Sequence, residues 1–157
     1  MSKIARAARV ASRQRVETLG NGTSAGTDKT IQTAETGELY YIDHNHGSAL
    51  TITLPEKQDG AYFKFVFKTA LTDNGGSVVF TTHEDTDGDL VGSIFEQVTG
   101  GSNANSAVQT DDNADHKLTI SDDVLQGSWL EFYCDGTTWV VYGMLNASAV
   151  GRAGFGT

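Results

Sequence analysis

Hydrophobic and polar residues alternate along much of this chain, which is the periodicity of β-strands rather than of helices. In residues 50–54, the apolar Leu50, Ile52 and Leu54 are separated by two threonines. Pro55 follows and ends that strand, because it has no backbone N–H for a further ladder bond. Residues 62–68 alternate in the same way, with phenylalanines on one side and lysines on the other. Each segment predicts a strand with one buried face.

The strongest local signal is a β-hairpin near the C-terminus. Residues 129–134 and 139–143 are rich in aromatic and β-branched side chains, which favour strands. Asp135 and Gly136 lie between them, and this pair is expected to supply the positive backbone dihedrals of a tight turn.

Further short strands are predicted at residues 39–42, 78–82, 90–95 and 117–121. The polar stretch 99–115 has too few apolar residues to bury much surface and predicts a long surface loop. About eight strands without a helix in the body predict an all-β domain, either a compact sandwich or jelly roll or a small barrel. No internal repeat of solenoid length is evident, which disfavours a β-helix.

Composition supports this fold class. The 157 residues include 18 glycines and one proline, as expected for short strands separated by turns. The single cysteine, Cys134, has no partner for a disulfide within the chain and is predicted to be a buried thiol. No apolar run approaches the length of a membrane span, and the N-terminus lacks the apolar segment of a secretory signal.

Charge is distributed unevenly. Residues 1–18 carry a net charge of +4, whereas the rest of the chain carries −13. The sequence therefore predicts a basic arm and flexible linker at 1–27, a β-domain at 28–146 and a mobile tail at 147–157. The arm is a short helix or a segment that becomes ordered on docking. Its basic residues are Lys3, Arg6, Arg9, Arg13 and Arg15.

Two clusters have the composition of metal sites. His44 and His46 have a spacing that can chelate Zn²⁺ or Ni²⁺, although an exposed turn is the simpler interpretation. Residues 83–89 contain four carboxylates, but the EF-hand pattern requires a glutamate where Ile94 stands. A solvated acidic turn is preferred there, and no metal or cofactor is predicted.

No motif indicates catalysis. The adjacent pairs Asp111-Asp112 and Asp122-Asp123 do not form a predictable acid–base site, and no nucleophile elbow or phosphate loop is present. The protein is therefore predicted not to be an enzyme. The remaining aromatic residues, Trp129, Trp139, Tyr133 and Tyr142, are interpreted as core and cross-strand pairs, with a carbohydrate-stacking platform as the alternative.

The order of these motifs resembles a β-domain found in phage structural proteins, in particular small capsid decoration (cement) proteins. The matching elements span residues 30–41, 50–55, 60–67, 88–92, 117–121 and 131–143. The resemblance implies a homotrimeric virion protein on the outer surface of the capsid, where it binds the major capsid protein and stabilises the shell. The basic arm residues are then expected to contact acidic capsid residues.

Two other functions remain open at this stage. A tail-fibre or adhesin module that binds host glycan would use the aromatic hairpin or the 99–115 loop. A nucleic-acid-binding protein would use the basic arm, but the acidic body argues against this, and neither a nucleic acid nor a membrane is the expected partner.

Overall fold

The computed structural model describes residues 14–72, 76–84, 89–99, 105–110 and 115–156. These residues contain twelve strands and one 3-10 turn, Thr33–Glu35. The strands are β1 Val16–Gly22, β2 Lys29–Thr30, β3 Leu39–His44, β4 Ala49–Thr53, β5 Tyr62–Phe67, β6 Ser77–Thr81, β7 Leu90–Val98, β8 Ser106–Gln109, β9 Lys117–Ser121, β10 Trp129–Cys134, β11 Trp139–Ala147 and β12 Ala153–Gly156.

Two mixed sheets pack face to face. The seven-stranded sheet has the order β1-β3-β5-β10-β11-β7-β8, and the five-stranded sheet has the order β12-β9-β6-β4-β2. Phe65 of the larger sheet and Phe80 of the smaller sheet meet with ring centroids 4.8 Å apart. The all-β prediction is confirmed, and the sandwich, rather than the closed barrel, is the form observed.

The alternating segments bury the predicted residues. Leu50, Ile52 and Leu54 are fully buried, as are the three phenylalanines of β5. Phe65 lies at the centre of this core, because its ring also contacts Tyr40 and Phe132 with centroid distances of 5.1 and 5.5 Å. The β-strand periodicity therefore identifies the residues that hold the two sheets together.

The N-terminal half is a two-sheet coil. Strands β1, β3 and β5 are parallel neighbours in the larger sheet, while β2, β4 and β6 are parallel neighbours in the smaller sheet. Each connection therefore carries the chain from one sheet to the other. Val16 pairs with Leu39, and Leu39 pairs with Lys64. This arrangement is a short β-helical coil, which the absence of a sequence repeat had disfavoured.

The C-terminal half contains the predicted hairpin. Strands β10 and β11 are antiparallel, with Cys134 paired to Trp139. The loop has four residues, and Gly136 adopts a positive φ of 90° while Asp135 does not. The expectation of positive dihedrals at both residues is wrong, because Asp135 instead accepts hydrogen bonds from the backbone N–H groups of Thr137 and Thr138.

Three segments differ from the sequence prediction. Strand β1 lies within the predicted arm and linker, so the chain joins the larger sheet from Val16 onwards. Strand β8 lies within the predicted 99–115 loop, and β12 lies within the predicted tail. All three are edge strands with few inward side chains, so their sequences lack a run of buried apolar residues.

A buried carboxylate holds the C-terminal strand in place. Glu96 of β7 is fully buried and accepts hydrogen bonds from the backbone N–H groups of Gly151, Arg152 and Ala153 at 2.6–2.7 Å. The Ser106 hydroxyl donates a fourth bond at 2.7 Å. Burial pushes the pKa of Glu96 upwards, but these donors outweigh it and the pKa is lowered. The charged carboxylate therefore joins the two sheets at this edge.

Candidate interaction surface

The outer face of the seven-stranded sheet is rich in aromatic and aliphatic side chains. The strand register places them in three rows that run across β3, β5, β10, β11 and β7. The rows comprise Tyr62, Tyr133, Val140 and Val91; Leu39, Lys64, Glu131, Tyr142 and Ser93; and Tyr41, Val66, Trp129, Met144 and Phe95. We refer to these fourteen residues as the aromatic face.

Several members of the aromatic face are open to solvent. Phe95 is 44% exposed, Tyr133 is 42% exposed and Tyr142 is 53% exposed. Tyr62 and Tyr133 contact each other with ring centroids 4.9 Å apart. A β-sheet scaffold therefore presents large aromatic groups side by side, an arrangement suited to binding another surface.

The two charged residues of the aromatic face neutralise each other. The Lys64 ammonium lies 2.7 Å from a Glu131 carboxylate oxygen and 5.2 Å from the centre of the Trp129 ring. The Lys64 hydrogen bond is the main reason that the pKa of Glu131 is lowered. The Tyr133 hydroxyl donates to the same carboxylate at 2.8 Å, which raises the pKa of Tyr133 to about 12. The face therefore carries no unpaired charge near neutral pH.

The outer face of the five-stranded sheet has a different composition. Its central row contains Thr51, Val79, Thr119 and Gly154. The neighbouring row contains Thr53, Thr81, Lys117 and Gly156. Threonine and glycine therefore predominate in these rows, and the exposed aromatic side chains lie on the other side of the sandwich.

The predicted aromatic residues divide between the core and this surface. Trp139 is fully buried, which confirms its assignment to the core. Trp129, Tyr133 and Tyr142 belong instead to the aromatic face. Cys134 is buried, as predicted, and its sulfur accepts a hydrogen bond from the Gly136 N–H at 3.4 Å.

The root of the basic segment is attached to the body. Arg15 lies 2.9 Å from Glu38 in an ion pair, and its carbonyl oxygen accepts a hydrogen bond from the Leu39 N–H at 2.9 Å. The guanidinium side chain remains largely exposed. The other predicted arm residues, Lys3, Arg6, Arg9 and Arg13, lie outside the described residues.

Beside this root is a cluster of carboxylates. Oxygens of Glu17, Glu35 and Glu38 lie within 4.8 Å of one another, the arrangement most similar to a metal site among the described residues. The Lys29 ammonium already lies 2.9 Å from Glu17 and 2.8 Å from Glu35. Because Arg15 pairs with Glu38, each carboxylate has a cationic partner, and the cluster is best described as an ion-pair network.

The histidine pair is more buried than predicted. His44 is fully buried, and its Nε2 lies 2.8 Å from the Ser48 carbonyl oxygen. His46 Nδ1 lies 2.8 Å from the Ser48 hydroxyl. The interpretation of both residues as an exposed turn is wrong for His44, because it ends β3 with its side chain directed into the sandwich.

The acidic pairs and the acidic segment have structural partners where they are described. Asp122 and Asp123 lie 2.9 and 3.3 Å from the Arg152 guanidinium. Asp89 is buried and pairs with Lys57 at 2.7 Å. Residues 85–88 and the pair Asp111-Asp112 lie outside the described residues. Through these ion pairs, the described carboxylates attach loops to the sandwich.

Comparison with protein-family models, with curated proteins and with solved structures finds no match to this chain. The part of the chain that the structure describes contains no helix long and apolar enough to cross a bilayer.

Proposed function

We propose that this chain is a phage capsid decoration protein that binds the outer surface of the head as a homotrimer and stabilises the shell. The observation that carries the proposal is the separation of charge between the N-terminal segment and the sandwich, at a junction that is fixed in place. A segment rich in basic residues joins a sandwich of opposite net charge. The junction is fixed by the Arg15–Glu38 ion pair and by the hydrogen bond from Leu39.

The physical requirements of such a protein are modest. A decoration protein needs no chemistry, but it must contact several capsid subunits at once. Three basic segments on one trimer would provide this, because linked contacts convert weak individual binding into tight attachment. The major capsid protein is the expected partner, and acidic residues on its outer surface are the expected contacts.

The motif order from residue 30 to residue 143 supports the same proposal through its resemblance to phage decoration proteins. The sandwich is also compatible with a mechanical role. Its two sheets share a continuous aromatic core, and its edge strands are held by buried or partly buried ionic groups. Such a body transmits load between contacts without needing to change shape.

The test uses undecorated phage heads and the full-length protein. The variant combines Lys3→Gln, Arg6→Gln, Arg9→Gln and Arg13→Gln, which removes four positive charges without altering β1. We expect at least about a hundredfold weaker binding to heads, because the charged contacts act together. Binding of the unchanged protein should weaken as salt is raised, since exposed charges are screened over about 8 Å at physiological ionic strength.

The control is Lys117→Gln, which removes one positive charge from the outer face of the smaller sheet. It should bind heads like the unchanged protein. Electron cryomicroscopy of decorated heads should show trimeric density at three-fold or quasi-three-fold positions. Full binding by the quadruple variant, or density confined to tails, would contradict the proposal.

The aromatic face favours one alternative function, a fibre or adhesin module that binds glycan. Tyr62, Tyr133 and Trp129 present rings beside the paired Lys64 and Glu131, a combination of stacking and hydrogen-bonding groups that suits sugars. Titration with host-surface glycans would test this. Saturable binding that is lost in Tyr133→Ala would favour the alternative.

A further inference from the structure

The two outer faces of the sandwich differ in a way that requires an explanation. Phe95 and Tyr142 are about half exposed on the larger sheet, while the equivalent rows of the smaller sheet are mainly threonine, serine and glycine. Single exposed apolar residues are common, but here eleven aromatic or aliphatic residues lie in three adjoining rows and form a continuous surface. The enrichment in tyrosine, tryptophan, phenylalanine and methionine is typical of protein interfaces.

We infer that the aromatic face is the contact surface between copies of this chain. The inference rests on the proposed function, because it assumes, as that proposal does, that the chain assembles with identical copies. It adds the surface that performs this assembly and separates it from the basic segment that is proposed to bind the capsid.

Charge identifies a second copy as the occupant. Outside residues 1–18 the chain carries a net charge of −13, so two copies repel each other over most of their surfaces. The aromatic face is an exception, because its only charged residues, Lys64 and Glu131, are paired at 2.7 Å. At its margin, Lys68 and Asp43 are also paired at 2.7 Å. Identical acidic bodies can therefore approach through this face without bringing unpaired like charges together.

The size of the face agrees with this role. Five strands at a spacing of about 4.8 Å and three rows of side chains give a footprint of roughly 20 Å in each direction. A standard interface buries about 800 Å² on each partner and has an apolar centre surrounded by a polar rim. The aromatic face has the dimensions of such a centre, and the outer strands β1 and β8 extend the same sheet around it.

The scaffold favours binding without a large ordering cost. Tyr133 is fixed by its hydrogen bond to Glu131, and Lys64 is fixed between Glu131 and the Trp129 ring. Side chains that are already ordered lose little rotamer freedom when a partner covers them. Tyr142 and Phe95, the most exposed rings of the face, have the most apolar surface to bury and gain most from contact.

The experiment measures the mass of the full-length protein in solution, without capsids, by light scattering and sedimentation from about 1 to 100 µM. We expect an assembly whose mass is a multiple of the 16.7 kDa chain. The double variant Phe95→Gln with Tyr142→Gln should dissociate at a protein concentration at least about tenfold higher than the unchanged protein. The control Val79→Gln makes the same kind of change on the other outer face and should leave assembly unchanged.

Salt provides a second readout. Assembly through the aromatic face should persist or strengthen from about 0.05 to 1 M salt, because screening reduces repulsion between acidic bodies. A monomer at every concentration, or a double variant that assembles like the unchanged protein, would overturn the inference. If the double variant does not fold, Tyr142→Gln alone is used, with circular dichroism confirming its fold.

The outcomes separate this inference from the proposed function. A dimer that depends on the aromatic face would support the inference while contradicting the homotrimer of the proposed function. A trimer that is unaffected by the double variant but binds heads would do the reverse. The masses are measured without heads, so failure of capsid binding does not affect the result.

Discussion

The two halves of this sandwich use the same β-periodicity but different connections. From β1 to β6 the chain passes from one sheet to the other at each step, and its parallel partners are distant in sequence. From β10 to β11 it turns back within one sheet, and Cys134 pairs with Trp139. The comparison shows that a buried-face pattern can specify strands without specifying their order.

The spacing of the coil explains why no repeat is visible in the sequence. Val16 pairs with Leu39, 23 residues later, whereas Ala49 pairs with Ser77, 28 residues later. Connections of different lengths keep the strands in register without repeating a motif. A solenoid requires only that each strand return to the edge of the previous one, so the structural repeat does not need a sequence repeat.

Both halves depend on one core residue. Phe65 lies on β5, between the coil strand β3 and the hairpin strand β10. In Phe65→Ala we expect the free energy of unfolding to fall by about 3–5 kcal/mol, because a large cavity opens between Tyr40, Phe80 and Phe132. Urea unfolding followed by circular dichroism and by tryptophan fluorescence should give one coincident transition.

The control for Phe65→Ala is Val79→Ala, which shortens an outward-facing side chain of β6 and should cost under about 1 kcal/mol. Two separate transitions in the Phe65 variant would show that the coil and the hairpin unfold independently. That result would contradict the picture of one shared core.

In both halves the sequence could predict local features but not long-range strand pairing. The core residues Leu50, Ile52 and Phe65 and the β10–β11 hairpin follow from local patterns, because side-chain alternation and a turn signal lie within a few residues. Strands β1, β8 and β12 could not be predicted, since their partners lie elsewhere in the chain and only two of their fifteen residues, Leu19 and Ala153, are buried. The strand β12 depends on Glu96, which is 57 residues from Ala153.

The candidate surface was only partly predictable. The sequence identifies Trp129, Tyr133 and Tyr142 as a group, but Phe95 joins them through the parallel pairing of β7 with β11. The pairing of Lys64 with Glu131 depends on the β5–β10 register. No pattern within either strand indicates that pairing, so the neutrality of the aromatic face appears only in three dimensions.

Loss of the Glu96 charge should affect the C-terminal half more than the N-terminal half. Glu96→Gln keeps the shape but replaces an acceptor oxygen by an NH₂ group that faces backbone donors. We expect a loss of about 2–3 kcal/mol at pH 7 and faster hydrogen exchange at β12 than at β1. The control Asp122→Asn removes an ion pair of Arg152 but leaves the Glu96 contacts intact.

The pH dependence of the Glu96 effect has a definite sign. The pKa of Glu96 is lowered in the folded protein, so its contribution is present above the ordinary value of 4.5 and is lost as the pH falls through the folded pKa. The difference between the unchanged protein and Glu96→Gln should therefore shrink in acid. A difference independent of pH would indicate that the charge of Glu96 is not what holds β12.

The N-terminal coil should respond to the loss of Lys29. In Lys29→Met the carboxylates of Glu17 and Glu35 lose their shared ammonium, and we expect a loss of about 1–2 kcal/mol at pH 7. Hydrogen exchange should accelerate at β1 and β3 rather than at β12. The control Lys68→Met removes a single, more exposed ion pair with Asp43 and should have a smaller effect.

The stability contributed by Lys29 should be confined to a window of pH. Burial opposes its charge, but hydrogen bonds to Glu35 and Glu17 outweigh it, so the pKa of Lys29 is raised above 10.5. The contribution is lost as the pH rises through that folded value. On the acidic side, the pKa of Glu35 is lowered, because the Lys29 and Gln32 hydrogen bonds outweigh burial, and the contribution is lost as Glu35 is protonated below 4.5. Equal effects at pH 3 and pH 7 would contradict this account.

The smallest effect is expected at the hairpin loop. Asp135→Ala removes the acceptor for the Thr137 hydroxyl and for two backbone N–H groups, but the loop is exposed and Gly136 still provides the positive φ. The melting temperature should fall less than in Lys29→Met, and Asp135→Asn should restore most of the loss because it keeps an acceptor oxygen. The Thr137 bonds lower the pKa of Asp135, so the part of this contribution that depends on its charge is lost as the pH falls below 3.8. A larger loss in Asp135→Ala than in Lys29→Met would mean that this local turn, rather than the long-range coil, controls the stability of the sandwich.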